Sequence, residues 1–96
     1  MRNRYLVTYD VSDDKRLRQM HRTLLGFGDP LQYSVFSCDL SSVERILLLE
    51  AIGKVMNQND DRVMIADLGP SQGRARRSLE WLGRATRIEE RRCVVV

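Results

Sequence analysis

Lysine is nearly absent from this chain, confined to Lys15 and Lys54, although lysine and arginine together number 16. Its cationic surface is therefore arginine, whose planar fork suits bidentate contact with phosphate better than an ammonium does. Cysteine occurs twice, at Cys38 and Cys93. Two are too few for a zinc site and too far apart for a metal or redox motif, so both read as buried or inert thiols. The single histidine, His21, falls beside the Leu17/Met20 stripe of a helix and reads as packed or half-exposed rather than as a base. No nucleophile elbow, phosphate-cradling glycine loop or zinc spacing occurs. No apolar run approaches the ~20 residues of a membrane span, and the N-terminus lacks the apolar stretch of a signal peptide. A cytoplasmic protein with no membrane partner is expected. Repeats and low-complexity tracts are also missing.

What is present is the composition of an ordinary folded protein, 43% hydrophobic and 30% charged, which argues against disorder. Ninety-six residues fit one domain, 1–96. A chain of this size buries only about 60 to 65% of its unfolded surface, which makes association a common remedy. The net charge of +3 and pI near 9.2 are mildly basic, so clustering of the arginines matters more than their sum.

The run Tyr5-Leu6-Val7-Thr8-Tyr9-Asp10-Val11 is β-branched, aromatic or leucine except at Asp10, and predicts a strand over 3–11 with a carboxylate at its exit. Ser12 can cap the helix that follows over 13–26, with Asp13 and Asp14 in its first turn, where the macrodipole favours negative charge. Leu17, Met20, Leu24 and Leu25 form its apolar stripe, and Gly26 to Pro30 is a stop. The β-rich residues 31–40 exceed a typical strand and predict either one bent strand or two short ones joined by a kink. Ser41 and Glu44 make a capping box for a second helix, along which Val43, Ile46, Leu47, Glu50 and Val55 follow, with Ile52 and Met56 completing an apolar face. Asn57 to Asp61 is a polar break, 62–68 a strand, and 69–73 a loop. Leu79 and Trp81 fit a short strand or a short helix, 84–92 a charged linker, and 93–96 a β-prone tail in need of a partner edge. The order predicts an α+β fold, a ferredoxin-like βαββαβ sandwich with an extra C-terminal strand. Strand one carries apolar groups on both faces, which predicts a homodimer formed through the sheet face that the helices leave open.

Carboxylates are poor strand residues, so Asp10 is a candidate ligand for a hard cation, which takes oxygen donors and one or two carboxylates. If two copies of Asp10 converged about 4 Å apart they would repel by roughly 4 kcal/mol at an effective dielectric of 20. Such a pair would bind a cation or share a proton. A bridging metal could then assist phosphodiester cleavage. The competing reading leaves Asp10, Asp13 and Asp14 as helix-capping and turn residues, and it fits Asp13 and Asp14 better. Arg16, Arg18 and Arg22 follow the Asp10 turn, and Arg74, Arg76 and Arg77 form a second cluster. Together they could track a nucleic-acid backbone without reading its sequence.

The strand around Asp10, then Asp13, Asp14 and Arg16, then Gln32-Tyr33-Ser34-Val35-Phe36 with Asp39-Leu40, then Asp61 to Ile65, resembles the CRISPR-associated protein two family. The likeness spans about 4–68, and a Tyr-Asp-Val-Ser-Asp-Asp run followed by Gln-Tyr-Ser-Val-Phe is fairly specific in so short a chain. The resemblance implies a ferredoxin-like homodimer whose tail, about 84–96, crosses to the partner's sheet. It also implies a metal-dependent endonuclease acting on RNA or DNA in spacer acquisition, with Mg²⁺, or Mn²⁺ in its place. Carried over by position, Asp10 would be the metal ligand, Tyr9 and Ser12 its neighbours, Arg16 and Arg18 phosphate binders, and Phe36 a residue near the cleft. Pro30-Leu31 stands where relatives often carry a basic residue. The resemblance further implies a CRISPR-associated integrase as partner, for which such a dimer would serve as a non-catalytic DNA-bridging scaffold.

Overall fold

Tyr5, Val7 and Tyr9 alternate inward along β1 (Asn3–Asp10) and are all buried, and the sheet is built outward from this strand. The computed structural model describes residues 1–83, excluding the side chains of Arg76 and Arg77. After β1 come α1 (Asp14–Leu25), β2 (Asp29–Gln32), β3 (Val35–Leu40), α2 (Ser42–Val55) and β4 (Arg62–Pro70), and a 3₁₀ turn follows at Arg74–Arg77. The four strands run in the order β2-β3-β1-β4, with antiparallel pairing between neighbours. This is the ferredoxin-like arrangement that the chain order anticipates. The extra C-terminal strand, the linker over 84–92, the partner-seeking tail and Cys93 lie outside the described residues. No helix among the described residues is long and apolar enough to cross a membrane.

Met20 and Leu24 of α1 and Leu48 and Ile52 of α2 join the odd residues of β1, with Phe36, Cys38 and Leu40 of β3, in one apolar cluster. Both helices thus cover one sheet face. The even residues of β1 point the other way. Leu6 and Thr8 are half-buried there, opposite Ser37 and Val35 on β3 and Ala66 and Met64 on β4. Arg4, a charged residue not expected in the interior, is 8% exposed and its Nη1 donates to Ser37 Oγ at 2.7 Å. Residues 79–82 border this face beside Leu6, Thr8, Leu31 and Val35. Met64 at 62% and Leu82 at 97% exposure leave apolar surface there open to solvent.

Several local expectations change. The α1 cap is Asp13 rather than Ser12. Asp13 is extended, and its Oδ2 accepts from the Arg16 N–H at 2.9 Å, while the N–H of Ser12 is drawn to Asp61. Residues 31–40 divide into two strands around Tyr33-Ser34, with β2 starting earlier, at Asp29. Pro30 is tolerated inside β2 because that strand is an edge. On α2 the capping box forms as expected. Burial alone would raise the Glu44 carboxyl, but hydrogen bonds from Ser41 and Arg2 outweigh it and lower the carboxyl below its ordinary value. The expected apolar face of α2 is rotated: Leu48 and Ile52 are buried, whereas Val43 at 64% and Ile46 at 55% are exposed. Leu79 and Trp81 belong to neither strand nor helix.

Candidate nucleic-acid interface

Asp10 closes β1, where its last ladder partner is Arg62 of β4. Its carboxylate stands in solvent, with Arg62 Nη2 at 4.0 Å and the two side chains 80% and 90% exposed. An ion pair so open contributes little, which leaves the oxygens of Asp10 available. The backbone beyond it is held by a carboxylate that sequence reasoning missed. The Asp61 side chain is fully buried and takes two hydrogen bonds from Arg16, Nε at 2.9 Å and Nη2 at 3.2 Å. It also accepts the N–H groups of Asn57 at 2.8 Å and Ser12 at 3.3 Å. The Arg16 hydrogen bonds, aided by those two N–H groups and opposed by burial, hold the Asp61 carboxyl down at about 2. One side chain therefore ties the turn after Asp10 and the first turn of α1 to the start of β4. Asn57-Gln58-Asn59-Asp60-Asp61 offers five polar candidates, and nothing in the pattern selects the last.

The expected site residues divide into three places. Asp10, Ser12 and Arg16 gather at the strand exit, where Arg16 is engaged by Asp61 and by Asp13, its Nη1 4.0 Å from Asp13 Oδ2. Tyr9, Arg18 and Arg22 line a groove of about 560 Å³ between α1 and the β2–β3 hairpin, together with His21, Gln32 and Tyr33. The Tyr9 hydroxyl donates to the Tyr33 carbonyl at 3.3 Å and lies 3.3 Å from His21 Nδ1. Burial, and secondarily Tyr33, push the Tyr9 phenol above its ordinary value, so it stays protonated at neutral pH and serves as a donor. Phe36 is fully buried. It packs at 5.3 Å edge-on to His21 and at 6.2 Å from the Tyr9 ring, so it acts through those two rings and does not meet a ligand itself. His21 is exposed on the groove, a placement that its helical stripe did not reveal.

Arg74 is at the other end of the sheet. β1 pairs Asp10 with Arg62 at one end and Asn3 with Pro70 at the other, so the strand separates the ends by about 23 Å at ~3.3 Å per residue. Arg74 is exposed there beside Asp67, Gly69 and Pro70. The side chains of Arg76 and Arg77 lie outside the described residues. Among the described residues no group of three or more histidine, cysteine, aspartate or glutamate side chains is placed to hold a metal. One exposed carboxylate does fit the hard-oxygen chemistry of Mg²⁺ as a partial ligand set, since that ion takes one or two carboxylates and keeps several waters.

A family model described as CRISPR associated protein Cas2 matches residues 2–76, from ahead of β1 into the 3₁₀ turn. The chain belongs to the CRISPR-associated Cas2 family. It is 35% identical over 92 residues to a Rhodospirillum rubrum protein named CRISPR-associated endoribonuclease Cas2 1, covering 96% of this chain and 89% of that one. It is 40% identical over 72 residues to CRISPR-associated endoribonuclease Cas2 of Geobacter sulfurreducens, covering 75% and 76%. The fold matches a hypothetical protein of Thermus thermophilus at TM-score 0.77 and 27% identity, over 93% of this chain and all of that one. It also matches Streptococcus pyogenes Cas2 at TM-score 0.72 and 28% identity, over 83% and 99%. The Cas2 match takes in the groove, the strand exit and Arg74 together.

Proposed function

We propose that two copies of this chain form an Mg²⁺-dependent endoribonuclease in which the two Asp10 carboxylates share one ion. The observation that carries the reading is the placement of Asp10: an exposed carboxylate at a strand exit, backed by the Asp61–Arg16 clamp and, among the described residues, not part of a group of three or more metal-ligating side chains. A second copy placed on the open sheet face, where Met64 and Leu82 are exposed, completes the pair and covers apolar surface. RNA is the substrate of choice because the relatives named above are called endoribonucleases. When bound, the ion supplies positive charge to the phosphodiester and a more acidic water. The chain's own residues do the rest. Asp10 supplies hard oxygen donors, Arg18 and Arg22 hold backbone phosphates, and the protonated Tyr9 hydroxyl donates within the groove wall. Asp61 and Arg16 keep the turn that carries Ser12 in place.

The test is cleavage of labelled RNA and duplex DNA with Mg²⁺ titrated, using wild type and Asp10→Ala. Metal-dependent cleavage of RNA that disappears in Asp10→Ala is expected. Cleavage that survives the substitution would sink the assignment. A second reading keeps the dimer and drops the chemistry, making the protein a scaffold that bridges DNA for an integrase. It is favoured by the basic groups at both ends of the sheet, Arg18 and Arg22 on α1 and Arg74 beyond β4. Tight duplex binding with no Asp10-dependent cleavage of any substrate would select it.

A further inference from the structure

Arg62 is held unlike Arg2 and Arg16. Arg2 reaches Glu44 at 2.6 Å and Arg16 reaches Asp61 at 2.9 Å, onto carboxylates that are largely or wholly buried. Those contacts are structural ties. Arg62 Nη2 instead lies 4.0 Å from Asp10 Oδ2, with both side chains in solvent. The base of the side chain is nevertheless fixed. Arg62 is the ladder partner of Asp10 across the β1–β4 pair, and directly opposite residues keep their Cβ atoms about 4.5 to 5.5 Å apart. The residue before it, Asp61, is clamped by Arg16 and by the N–H groups of Asn57 and Ser12. A guanidinium with a fixed base and a loose tip changes partners easily, because an exposed ion pair contributes little.

This geometry sets up a competition for one carboxylate. A hard cation drawn to Asp10 meets Arg62 already beside it, 4.0 Å away. A divalent ion carries twice the charge and approaches oxygen to about 2 Å, so it displaces the guanidinium. The planar fork of an arginine matches phosphate as well as it matches carboxylate. We infer that Arg62 is the exchangeable counter-ion of Asp10: it covers the carboxylate while no divalent cation is there, and turns to a phosphate of the RNA once that carboxylate is taken or absent. The inference rests on the reading of Asp10 as a metal ligand in a protein that handles RNA, and it adds a coupling to that reading. Cation and RNA favour each other's binding through a side chain that serves one partner at a time, and by linkage the effect is equal in both directions.

The experiment compares wild type with Arg62→Ala, Arg62→Lys, Asp10→Asn and the Asp10→Asn/Arg62→Ala double variant. Both side chains are exposed, so none of these changes disturbs the core. Isothermal titration calorimetry with MgCl₂ and no RNA reads the first half of the exchange. Arg62→Ala is expected to bind Mg²⁺ about 2- to 5-fold more tightly than wild type, the contribution of one exposed ion pair. Arg62→Lys, which keeps the charge, should bind Mg²⁺ as wild type does. Fluorescence anisotropy of a short labelled single-stranded RNA in EDTA, where no metal-dependent cleavage intervenes, reads the second half. Asp10→Asn frees the guanidinium and should tighten RNA binding by about 2- to 5-fold, and this gain should vanish when the double variant is set against Arg62→Ala. No gain in Asp10→Asn, a gain that persists without Arg62 because Asp10 merely repels phosphate, or an unchanged Mg²⁺ affinity in Arg62→Ala would overturn the exchange alone. Mg²⁺ that fails to bind wild type or binds Asp10→Asn equally well, or RNA that binds none of the proteins, would overturn it together with the reading on which it stands.

Discussion

Adding one methyl group at each of two glycines should move stability in opposite directions. A Cβ built on Gly28 would run into the Ser37 carbonyl oxygen and lie 2.6 Å from Cys38 Sγ and 3.0 Å from Cys38 Cα. Real Cβ atoms essentially never come so close to a neighbour, and here the neighbours cannot retreat. Ser37 and Cys38 belong to β3, are 1% and 0% exposed, and are locked between β2 and β1. Overpacking costs typically 1 to 3 kcal/mol, and with backbone atoms among the obstacles Gly28→Ala should fall at the upper end, about 3 kcal/mol. At 4 to 8 °C per kcal/mol for a domain of this size, that lowers Tm by about 12 to 24 °C. Gly53 is the control. It lies within α2, and a Cβ there meets nothing within 4 Å, so Gly53→Ala gains helix propensity and should stabilise by about 0.5 to 1 kcal/mol. Urea unfolding of the two variants beside wild type decides the matter. A Gly28→Ala protein as stable as wild type, or a Gly53→Ala protein that loses as much as Gly28→Ala, would refute the packing argument.

Acid unfolding should report the Asp61 clamp. Its carboxyl is held at about 2 against an ordinary 3.8, so the folded state takes up its proton less readily than the unfolded one. The stabilisation is complete above pH 3.8 and drains away as pH falls towards 2. Asp61→Asn should therefore flatten the urea midpoint against pH in that window, and parallel curves would contradict the assignment. Phe36→Leu keeps much of the apolar volume but removes the ring contacts to Tyr9 and His21, at a cost of about 1 to 3 kcal/mol. Chemical denaturation checks the loss, and an unchanged midpoint would mean that Phe36 supports neither ring.

The fold was legible wherever the pattern had one solution. β1 and β4 declare themselves through β-branched runs, α1 through a single apolar stripe, and the start of α2 through a capping box whose geometry depends on two residues three apart. α2 itself was less readable. Val43, Ile46, Leu47, Leu48, Leu49, Ile52 and Val55 fall all round the cylinder, so the period does not say which side meets the sheet, and packing alone chose Leu48 and Ile52. Asp10 stood out because a carboxylate is unusual in a strand. Asp61 did not, because its role comes from Arg16, 45 positions away, and a contact of that separation leaves no local trace. The groove was invisible for the same reason. Tyr9, His21 and Tyr33 are ordinary residues in three different elements until the hairpin brings them together.

The two borders of the sheet are unlike each other. β2 is four residues long and contains Pro30, while β4 runs for nine and reaches its proline only at the last position. Short length and proline are devices that keep a border strand from recruiting another chain. Among the described residues, growth of the sheet is therefore discouraged on the β2 side, and β4 is the longer and more regular border. A border that resists pairing on one side confines any edge-to-edge joining of copies to the other side. The proline in β2 is in this sense a stop on edge-to-edge growth of the sheet.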